Sequence, residues 1–171
     1  KPGDKILTTG IHGLSKLGFL IQNKINFDNE FSLNERLIIK SIEHFCRPRV
    51  YPNFLNNLLK TRSNKNIRRI GCTDSSDGLF QALQDLAIAS NCKAIINYEK
   101  IPKDKDWPKG DKWDEYYFFG GEDYELVFSL PKKWANNLSR LDKDINEIGF
   151  FTDGEPSIEF KNNKKNKLFN N

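Results

Sequence analysis

The sequence has no methionine and only three cysteines among its 171 residues. Cys46, Cys72 and Cys92 are odd in number, widely spaced and without a C-x-x-C pair, which argues against a disulfide framework and against a zinc knuckle. This cysteine usage fits a reducing compartment, so we expect a cytoplasmic protein. Because its neighbours suggest a buried strand position, we interpret Cys72 as a core thiol and not as a nucleophile.

Long apolar runs are also absent. No run approaches the roughly 20 residues that a membrane-spanning helix needs, and no signal peptide is recognisable. We therefore expect a soluble protein without a membrane partner. The chain opens on a Pro-Gly turn at Lys1 to Asp4 that leads directly into an apolar strand. Together with the absence of a starting methionine, this opening suggests a piece excised from a longer protein.

A strong charge of one sign is missing too. Lys and Arg number 27 and Asp and Glu number 23, which gives a formal net charge of +4. The two signs are interspersed, so the surface has no extended field for a polyanion, and we predict no nucleic-acid partner. The one basic run, from Lys161 to Lys167, is interpreted as a solvated tail.

What the chain does have is enough apolar residues for one core. A length of 171 residues with 37% hydrophobic content predicts a single domain that spans residues 1–171. Strand and helix patterns mix without strict alternation, which favours an α+β fold in α/β/α layers, built on a mixed sheet packed with helices.

The local patterns predict the following elements. Strands are predicted at 5–9, 67–73 and 94–98 and from 124 onward, and a hairpin at 148–160 is predicted around the turn at Asp153-Gly154. Helices are predicted at 14–23, from a Ser32-to-Glu35 capping box to before Pro48, at 52–60, from 79 onward and at 131–141. The aromatic cluster at 113–119 predicts a helical turn packed on the core.

The first of two acidic motifs, DSSDGL at positions 74–79, lies between a predicted strand and a predicted helix. Asp74 and Asp77 can bind Mg²⁺ through oxygen, and the Ser76 hydroxyl can meet a phosphate at the positive end of the helix dipole. The alternative is that Asp74 or Ser76 simply caps the helix. Two neighbouring aspartates repel each other, and a bound cation would relieve that repulsion.

The second acidic motif is GGEDYEL at positions 120–126. Its glycine pair predicts a tight turn, which would leave the Glu122 carboxylate at the rim of the sheet. Such a carboxylate could accept hydrogen bonds from an amino-substituted heterocycle or pair with a cationic ring. The alternative is a solvated acidic turn before a strand.

Together, the two motifs closely resemble the carboxyl-terminal domain of the thiamine-monophosphate kinase family. The resemblance extends across most of the chain, through the glycine-rich opening and the Pro-Arg segment at 48–50. The wider superfamily of aminoimidazole-ribonucleotide synthetase, selenophosphate synthetase and hydrogenase-maturation proteins shares similar turns, so the paired acidic motifs are the specific part.

The resemblance implies an enzyme that transfers the γ-phosphoryl group of ATP to thiamine monophosphate with the help of Mg²⁺. By position, Asp74 and Asp77 would be Mg²⁺ ligands, Ser76 would contact the ATP phosphates and Glu122 would contact the thiamine part. No general base is assigned, because the acceptor is already an ionised phosphate. The histidines, His12 and His44, receive no catalytic role.

The resemblance also implies partners and raises alternatives. An amino-terminal domain of the same polypeptide would supply the remaining metal-binding aspartates and the interface of a homodimer, so this piece alone should be inactive.

The chain departs from the family at Ser75, where an aliphatic residue is common, and an aromatic terminal segment is not evident near Phe169. The alternatives are another ATP-dependent synthetase or maturation factor of the superfamily, and a non-catalytic binding domain.

Overall fold

The structure, a computed structural model, describes residues 1–24, 33–66 and 69–161. Ser32, the first part of the predicted strand at 67–73 and the basic tail after Lys161 lie outside these residues. The strands within them are β1 Lys5–Thr9, β2 Gly71–Asp74, β3 Lys93–Ile96, β4 Leu126–Leu130, β5 Ile145–Thr152 and β6 Ser157–Phe160. The α-helices are α1 Leu14–Gln22, α2 Glu35–Cys46, α3 Phe54–Thr61, α4 Leu79–Ser90, α5 Asp111–Phe119 and α6 Lys132–Leu141, and a 3₁₀ turn at Tyr98–Lys100 follows β3.

The strands form one mixed sheet in the order β2-β4-β1-β5-β3-β6. All neighbouring pairs are antiparallel except β3 and β6, which run parallel. Strand alternation sends successive side chains to opposite faces, and β1 shows this with Ile6 on one face and Leu7 on the other.

Each face of the sheet is covered by helices. The larger core contains Ile6, Val127 and Phe151 from the sheet together with apolar side chains of α1, α2, α4 and α5. The smaller core on the opposite face joins Leu7 and Phe128 to α3 and α6. The predicted α+β fold with α/β/α layers is therefore confirmed.

The predicted hairpin at 148–160 is wrong. Both edges of β5 are taken, one by β1 and the other by β3, so β6 pairs with β3 at the edge of the sheet. The connection at 153–156 passes the Lys93 end of β3, since Lys93 lies opposite Thr152 on one side and Ser157 on the other. An Asp-Gly turn between two alternating segments is a local hairpin signal, and it carries no information about a third strand inserted between them.

Two other local predictions need correction. Helix α2 begins at Glu35 with Asn34 as its N-cap, whose side chain accepts a hydrogen bond from the Arg36 N–H at 2.8 Å. A capping box would place Glu35 two residues further into the helix. Cys72 is exposed because it lies on β2, an edge strand, so it is not a core thiol.

Across the residues that the structure describes, none of the helices has both the length and the apolar character needed to cross a membrane.

The contact between α1 and α2 gives a testable prediction. A Cβ at Gly18 would lie 2.2 Å from the carbonyl oxygen of Ser41 on α2, so the helices can approach this closely only with glycine. Alanine is the better helix former by roughly 1 kcal/mol. We nevertheless expect Gly18→Ala to lower the free energy of unfolding by about 1–3 kcal/mol, because backbone must move to relieve the overlap. A urea titration measures this, and a more stable variant would contradict the packing.

Candidate active-site rim

The first acidic motif forms the turn between β2 and α4. Asp74 ends β2, and its Oδ1 accepts a hydrogen bond from the Ser76 N–H at 3.0 Å. Gly78, with φ of 96°, holds the N-cap position, and no side chain within the described residues caps α4 from it. The carboxylate of Asp74 therefore closes a turn ahead of the helix, and helix capping does not account for it. Asp74 and Asp77 are both exposed.

The second acidic motif forms the loop from the end of α5 to the start of β4. Glu122 and Tyr124 have positive φ values of 69° and 53°, a conformation uncommon for residues other than glycine. The alternation of backbone conformation directs the side chains to opposite sides. Glu122 and Tyr124 are exposed, whereas Asp123 and Glu125 have 0% and 1% of their surface exposed.

The two motifs are hydrogen-bonded to each other through their backbones. The Glu122 N–H donates to the Ser76 carbonyl at 2.8 Å, and the Ser75 N–H donates to the Glu125 carbonyl at 2.9 Å. A Cβ at Gly121 would lie 2.2 Å from the Ser76 carbonyl oxygen, so this approach requires glycine. The structure thus brings Asp74, Ser76, Asp77 and Glu122 to one rim of the sheet.

Ser75 has a larger part in this contact than the sequence suggested. It is fully buried, and its Oγ accepts a hydrogen bond from the Glu125 N–H at 3.1 Å. An aliphatic side chain at this position could not accept that bond. Ser75 therefore joins the two motifs through its side chain as well as through its backbone.

The Tyr124 side chain reports the charge at this rim. Its hydroxyl donates to Glu122 Oε2 at 2.7 Å, and this bond raises the pKa of Tyr124 above its ordinary value. The negative charges of Asp74 and Asp77 raise the pKa of Tyr124 further. Carboxylates of both motifs therefore act on one side chain.

The three carboxylates at the rim have no cationic partner among the described residues, in contrast to the buried Asp4 and Asp104. Within the described residues, Asp4 pairs with Arg69 and Asp104 pairs with Arg36 and Lys40, but Asp74, Asp77 and Glu122 form no ion pair. Oxygen ligands of this kind suit Mg²⁺. However, no group of three or more potential ligand side chains is close enough to hold a metal in that part of the chain. Most ligands of any Mg²⁺ here would have to come from phosphate, water or another domain.

The buried half of the second motif supports the rim. Asp123 accepts hydrogen bonds from the Gly13 N–H at 2.5 Å and from the Ser15 N–H at 2.9 Å, so it caps the N-terminus of α1 from outside the helix. Burial raises the pKa of Asp123 to about 6, against the opposing effect of these two donors.

Glu125 lies in a second buried contact. It accepts hydrogen bonds at Oε2 from the Thr9 hydroxyl at 2.5 Å and from the Tyr51 hydroxyl at 2.6 Å, and its Oε1 lies 3.6 Å from His44 Nε2. A Cβ at Gly10 would lie 2.0 Å from Oε1, so glycine makes room for the carboxylate. Burial alone would raise the pKa of Glu125, but His44 and the two hydroxyls outweigh burial and hold it below its ordinary value.

Both histidines take part in this interior arrangement. His12 is fully buried with Nε2 2.7 Å from the Thr8 hydroxyl, and burial lowers its pKa to about 4. His44 lies 3.0 Å from the Ser15 hydroxyl and 3.7 Å from the Asp123 carboxylate. These contacts place both rings beneath the rim. Sequence reasoning missed the roles of Asp123 and Glu125. Their inward orientation depends on positive φ values at Glu122 and Tyr124, and no glycine at those positions marks the unusual backbone conformation.

Comparisons with known proteins find a matching family model and similar sequences. The family described as AIR synthase related protein, C-terminal domain, matches residues 1–161. Thiamine-monophosphate kinase of Prochlorococcus marinus is 33% identical over 162 residues, which cover 95% of this chain and 49% of that protein. The chain thus spans about half the length of this curated relative.

Solved structures share the fold. A structure of AaThiL complexed with AMPPCP and TMP has a TM-score of 0.67 and 26% identity, over 94% of this chain and 48% of that one. Thiamine-monophosphate kinase from Stenotrophomonas maltophilia K279a has a TM-score of 0.71 over 94% of this chain and 51% of that one, and at 22% identity it supports the fold alone.

The buried Glu125 gives a pH-dependent prediction. Its pKa in the folded chain lies below the ordinary value of 4.5, so its stabilisation is present above that value and is lost as the pH falls through the folded-state pKa. We expect Glu125→Gln to lower the free energy of unfolding by roughly 1–3 kcal/mol at pH 7, because the amide leaves buried donors poorly paired. The difference from the unmodified chain should shrink below pH 4.5.

Denaturant titrations between pH 3 and 8 measure the effect, with the exposed Glu115→Gln on α5 as the matched control. Asp123 titrates in both proteins, so its contribution largely cancels in the difference. A destabilisation that stays constant with pH would show that the charge of Glu125 is not what its partners stabilise.

Proposed function

The chain belongs to the AIR synthase related protein family as its C-terminal domain, and on this basis we propose that it is the carboxyl-terminal part of a thiamine-monophosphate kinase. The complete enzyme would transfer the γ-phosphoryl group of ATP to thiamine monophosphate and release thiamine diphosphate. Curated relatives with the name thiamine-monophosphate kinase support this proposal, and so does the related structure that holds AMPPCP and TMP.

One observation carries the proposal: exposed acidic groups from two separate motifs meet at one rim without cationic partners in the described residues. The fold gains no ion pair from such an arrangement, so its stability does not explain why the carboxylates are grouped there. Phosphoryl transfer, by contrast, depends on positioning and on neutralising the charge of phosphates. The arrangement therefore fits a site completed by a metal-bound nucleotide.

We propose roles for the individual residues that are consistent with their positions. Asp74 and Asp77 would hold Mg²⁺, which when bound neutralises phosphate charge. Ser76 lies just ahead of α4, where its hydroxyl can donate to the ATP phosphates near the positive end of the helix dipole. Glu122 lies on the adjoining loop, where it can accept hydrogen bonds from the thiamine part.

The complete enzyme would include more than this chain, which covers about half of the length of this curated relative. Residues of this chain cover 49% of the Prochlorococcus protein. We propose that an amino-terminal domain of the same polypeptide supplies further metal ligands and the nucleotide surface, that the complete enzyme is a homodimer, and that it acts in the cytoplasm.

Loss of one rim carboxylate tests the assignment. In the complete protein, Asp74→Asn should lower kcat/KM for ATP-dependent thiamine diphosphate formation by about 100-fold, because the amide oxygen is a neutral and weaker ligand. Raising the Mg²⁺ concentration should restore part of the activity. Steady-state kinetics at several Mg²⁺ concentrations measure both effects.

Asp85→Asn provides the matched control. Asp85 is exposed on α4 and accepts a hydrogen bond from Gln81, outside the rim. It should leave kcat/KM unchanged. Equal activity of the Asp74 and Asp85 variants would favour a non-catalytic binding domain.

A second prediction concerns residues 1–171 alone. We expect this chain to bind Mg²⁺ weakly and to form no measurable thiamine diphosphate, because two carboxylates hold the ion poorly without phosphates and further ligands. Calorimetry with MgCl₂ and an activity assay check the two parts. Turnover at the rate of the complete protein would show that the second domain is not needed for chemistry.

A further inference from the structure

A single histidine ring lies between the two buried carboxylates beneath the rim. His44 is in the last turn of α2, with Nδ1 3.7 Å from Asp123 Oδ1 and Nε2 3.6 Å from Glu125 Oε1. Its side chain is 13% exposed, and those of the two acids are 0% and 1% exposed. Each ring nitrogen therefore faces one carboxylate, in an interior where water screens charges far less than at the surface.

Neither carboxylate has another cationic partner. Among the described residues, no lysine or arginine forms an ion pair with Asp123 or Glu125. Glu125 Oε1 is buried and has no donor within hydrogen-bond distance in that part of the chain. A buried carboxylate is costly unless a cation or hydrogen-bond donors compensate its charge. His44 is the side chain placed to do so for both acids at once.

The uncharged neighbours of the two acids lie on three other segments. Burial lowers the pKa of His12, in the connection between β1 and α1, to about 4, so its ring is neutral at pH 7. Burial raises the pKa of Tyr51, ahead of α3, and the pKa of Tyr117, on α5, so both hydroxyls keep their protons. These side chains bring no positive charge to the carboxylates.

The charged neighbours have other partners or lie outside the contact. The charge of Glu125 acts on Arg49, but the guanidinium of Arg49 pairs with Asp144. A groove with a volume of about 630 Å³ along α2 connects His44 with solvent. The charged side chains that line this groove beside His44 are Lys40, Glu43 and Arg47. Within the described part of the chain, none of these three pairs with either buried carboxylate.

The two carboxylates belong to the contact that joins the acidic motifs. Asp123 directly follows Glu122 and caps the N-terminus of α1. The backbone of Glu125 exchanges hydrogen bonds with Ser75, through the N–H and the hydroxyl oxygen of the serine. The residues that face His44 therefore anchor the second motif, and the first motif is anchored to the second.

We propose that His44 is a positioning residue, which bridges Asp123 and Glu125 as a cation and thereby holds the two acidic motifs in their contact at the rim. For its effect on turnover, the proposal rests on the proposed function. His44 touches no substrate in this assignment and acts through the loop that carries Glu122. The Ser15 hydroxyl oxygen, 3.0 Å from Nδ1, can accept a hydrogen bond from the charged ring and fix its orientation.

The charge of the bridge makes its contribution depend on pH. Between pH 7 and 9 both carboxylates are ionised, since burial raises the pKa of Asp123 only to about 6 and the pKa of Glu125 lies below its ordinary value. An imidazolium ring is stabilised by facing carboxylates and gives up its proton as the pH rises. The stabilisation is therefore present at pH 7 and lost towards pH 9. A ring that only filled space would contribute equally at both values.

Hydrogen–deuterium exchange of the complete protein tests the bridge without relying on activity. In His44→Gln at pH 7, the peptide that covers residues 120–126 should exchange about tenfold faster than in the unmodified protein, because removal of the cation leaves two buried charges without it. At pH 9 most of this difference should disappear, since the ring of the unmodified protein has then lost its charge as well. Rates at the two pH values are compared after correction for the intrinsic exchange rate.

Arg47→Gln is the matched control. Arg47 is the exposed C-cap of the same helix, so the substitution removes a positive charge close to His44 that does not pair with the buried acids. It should leave the exchange of peptide 120–126 unchanged. Three results for His44→Gln would overturn the proposal: unchanged exchange at pH 7, an equal increase at pH 7 and pH 9, or faster exchange spread evenly over all peptides of the domain.

The unmodified protein provides a test that does not depend on the folding of a variant. Its peptide 120–126 should lose protection between pH 7 and 9 as the bridge loses its proton. Constant protection over this range would contradict a charged bridge, whether or not His44→Gln can be purified.

Steady-state kinetics extend the test to the rim. His44→Gln should lower kcat/KM for thiamine diphosphate formation about tenfold at pH 7 and much less at pH 9, each relative to the unmodified protein at the same pH. Equal losses at both pH values would reject the positioning role. If the unmodified complete protein forms no thiamine diphosphate, the proposed function is wrong, and the exchange measurements still decide the role of His44.

Discussion

The candidate site depends on one backbone contact, the pairing of the β2–α4 turn with the loop that precedes β4. Ser75 and Ser76 exchange hydrogen bonds with Glu122 and Glu125 across distances of 2.8 to 3.1 Å, and Gly121 permits the approach. Without this contact, two acidic segments nearly fifty residues apart in sequence would have no defined relation. With it, the carboxylates on both segments share one rim. The hydrogen bonds between the two segments fix their relative position, which contacts between flexible side chains alone could not do.

The second motif divides its acidic residues between structure and surface. Its alternating backbone turns Asp123 and Glu125 inward, where they bind the N-terminus of α1 and the hydroxyls of Thr9 and Tyr51. The same alternation turns Glu122 and Tyr124 outward. Because buried carboxylates need partners, the interior pair anchors the loop strongly, and this anchoring holds the outward pair in conformations that an unsupported loop would not keep.

The sequence predicted the layers and most elements, because burial periodicity is a local property that each segment carries by itself. The bounds of β1 and the apolar face of α4 at Leu79, Leu83 and Leu86 are as expected. The sequence-based prediction failed where strand pairing depends on a segment distant in sequence. The Asp-Gly turn predicted that β6 pairs with β5, but β3 occupies that position. The four residues that the motifs singled out do lie at one rim. The sequence carried no sign of the buried contacts of Asp123 and Glu125, since these depend on backbone angles and on the room left by Gly10. The ligand roles of the rim residues remain predictions.

Exposure of the rim carboxylates determines the order in which a site of this kind can fill. Exposed like charges in water repel each other only weakly, because solvent and salt screen them, so the fold tolerates Asp74 and Asp77 together without a cation. The same screening makes the pair a poor trap for a free ion, and the described residues offer no third ligand nearby. In the proposed function, a divalent ion at this rim would take its further ligands from phosphate oxygens, water or the second domain. If the proposed function is right, the nucleotide and its metal would be captured as one unit, at a rim whose shape is already set by the backbone contact beneath it.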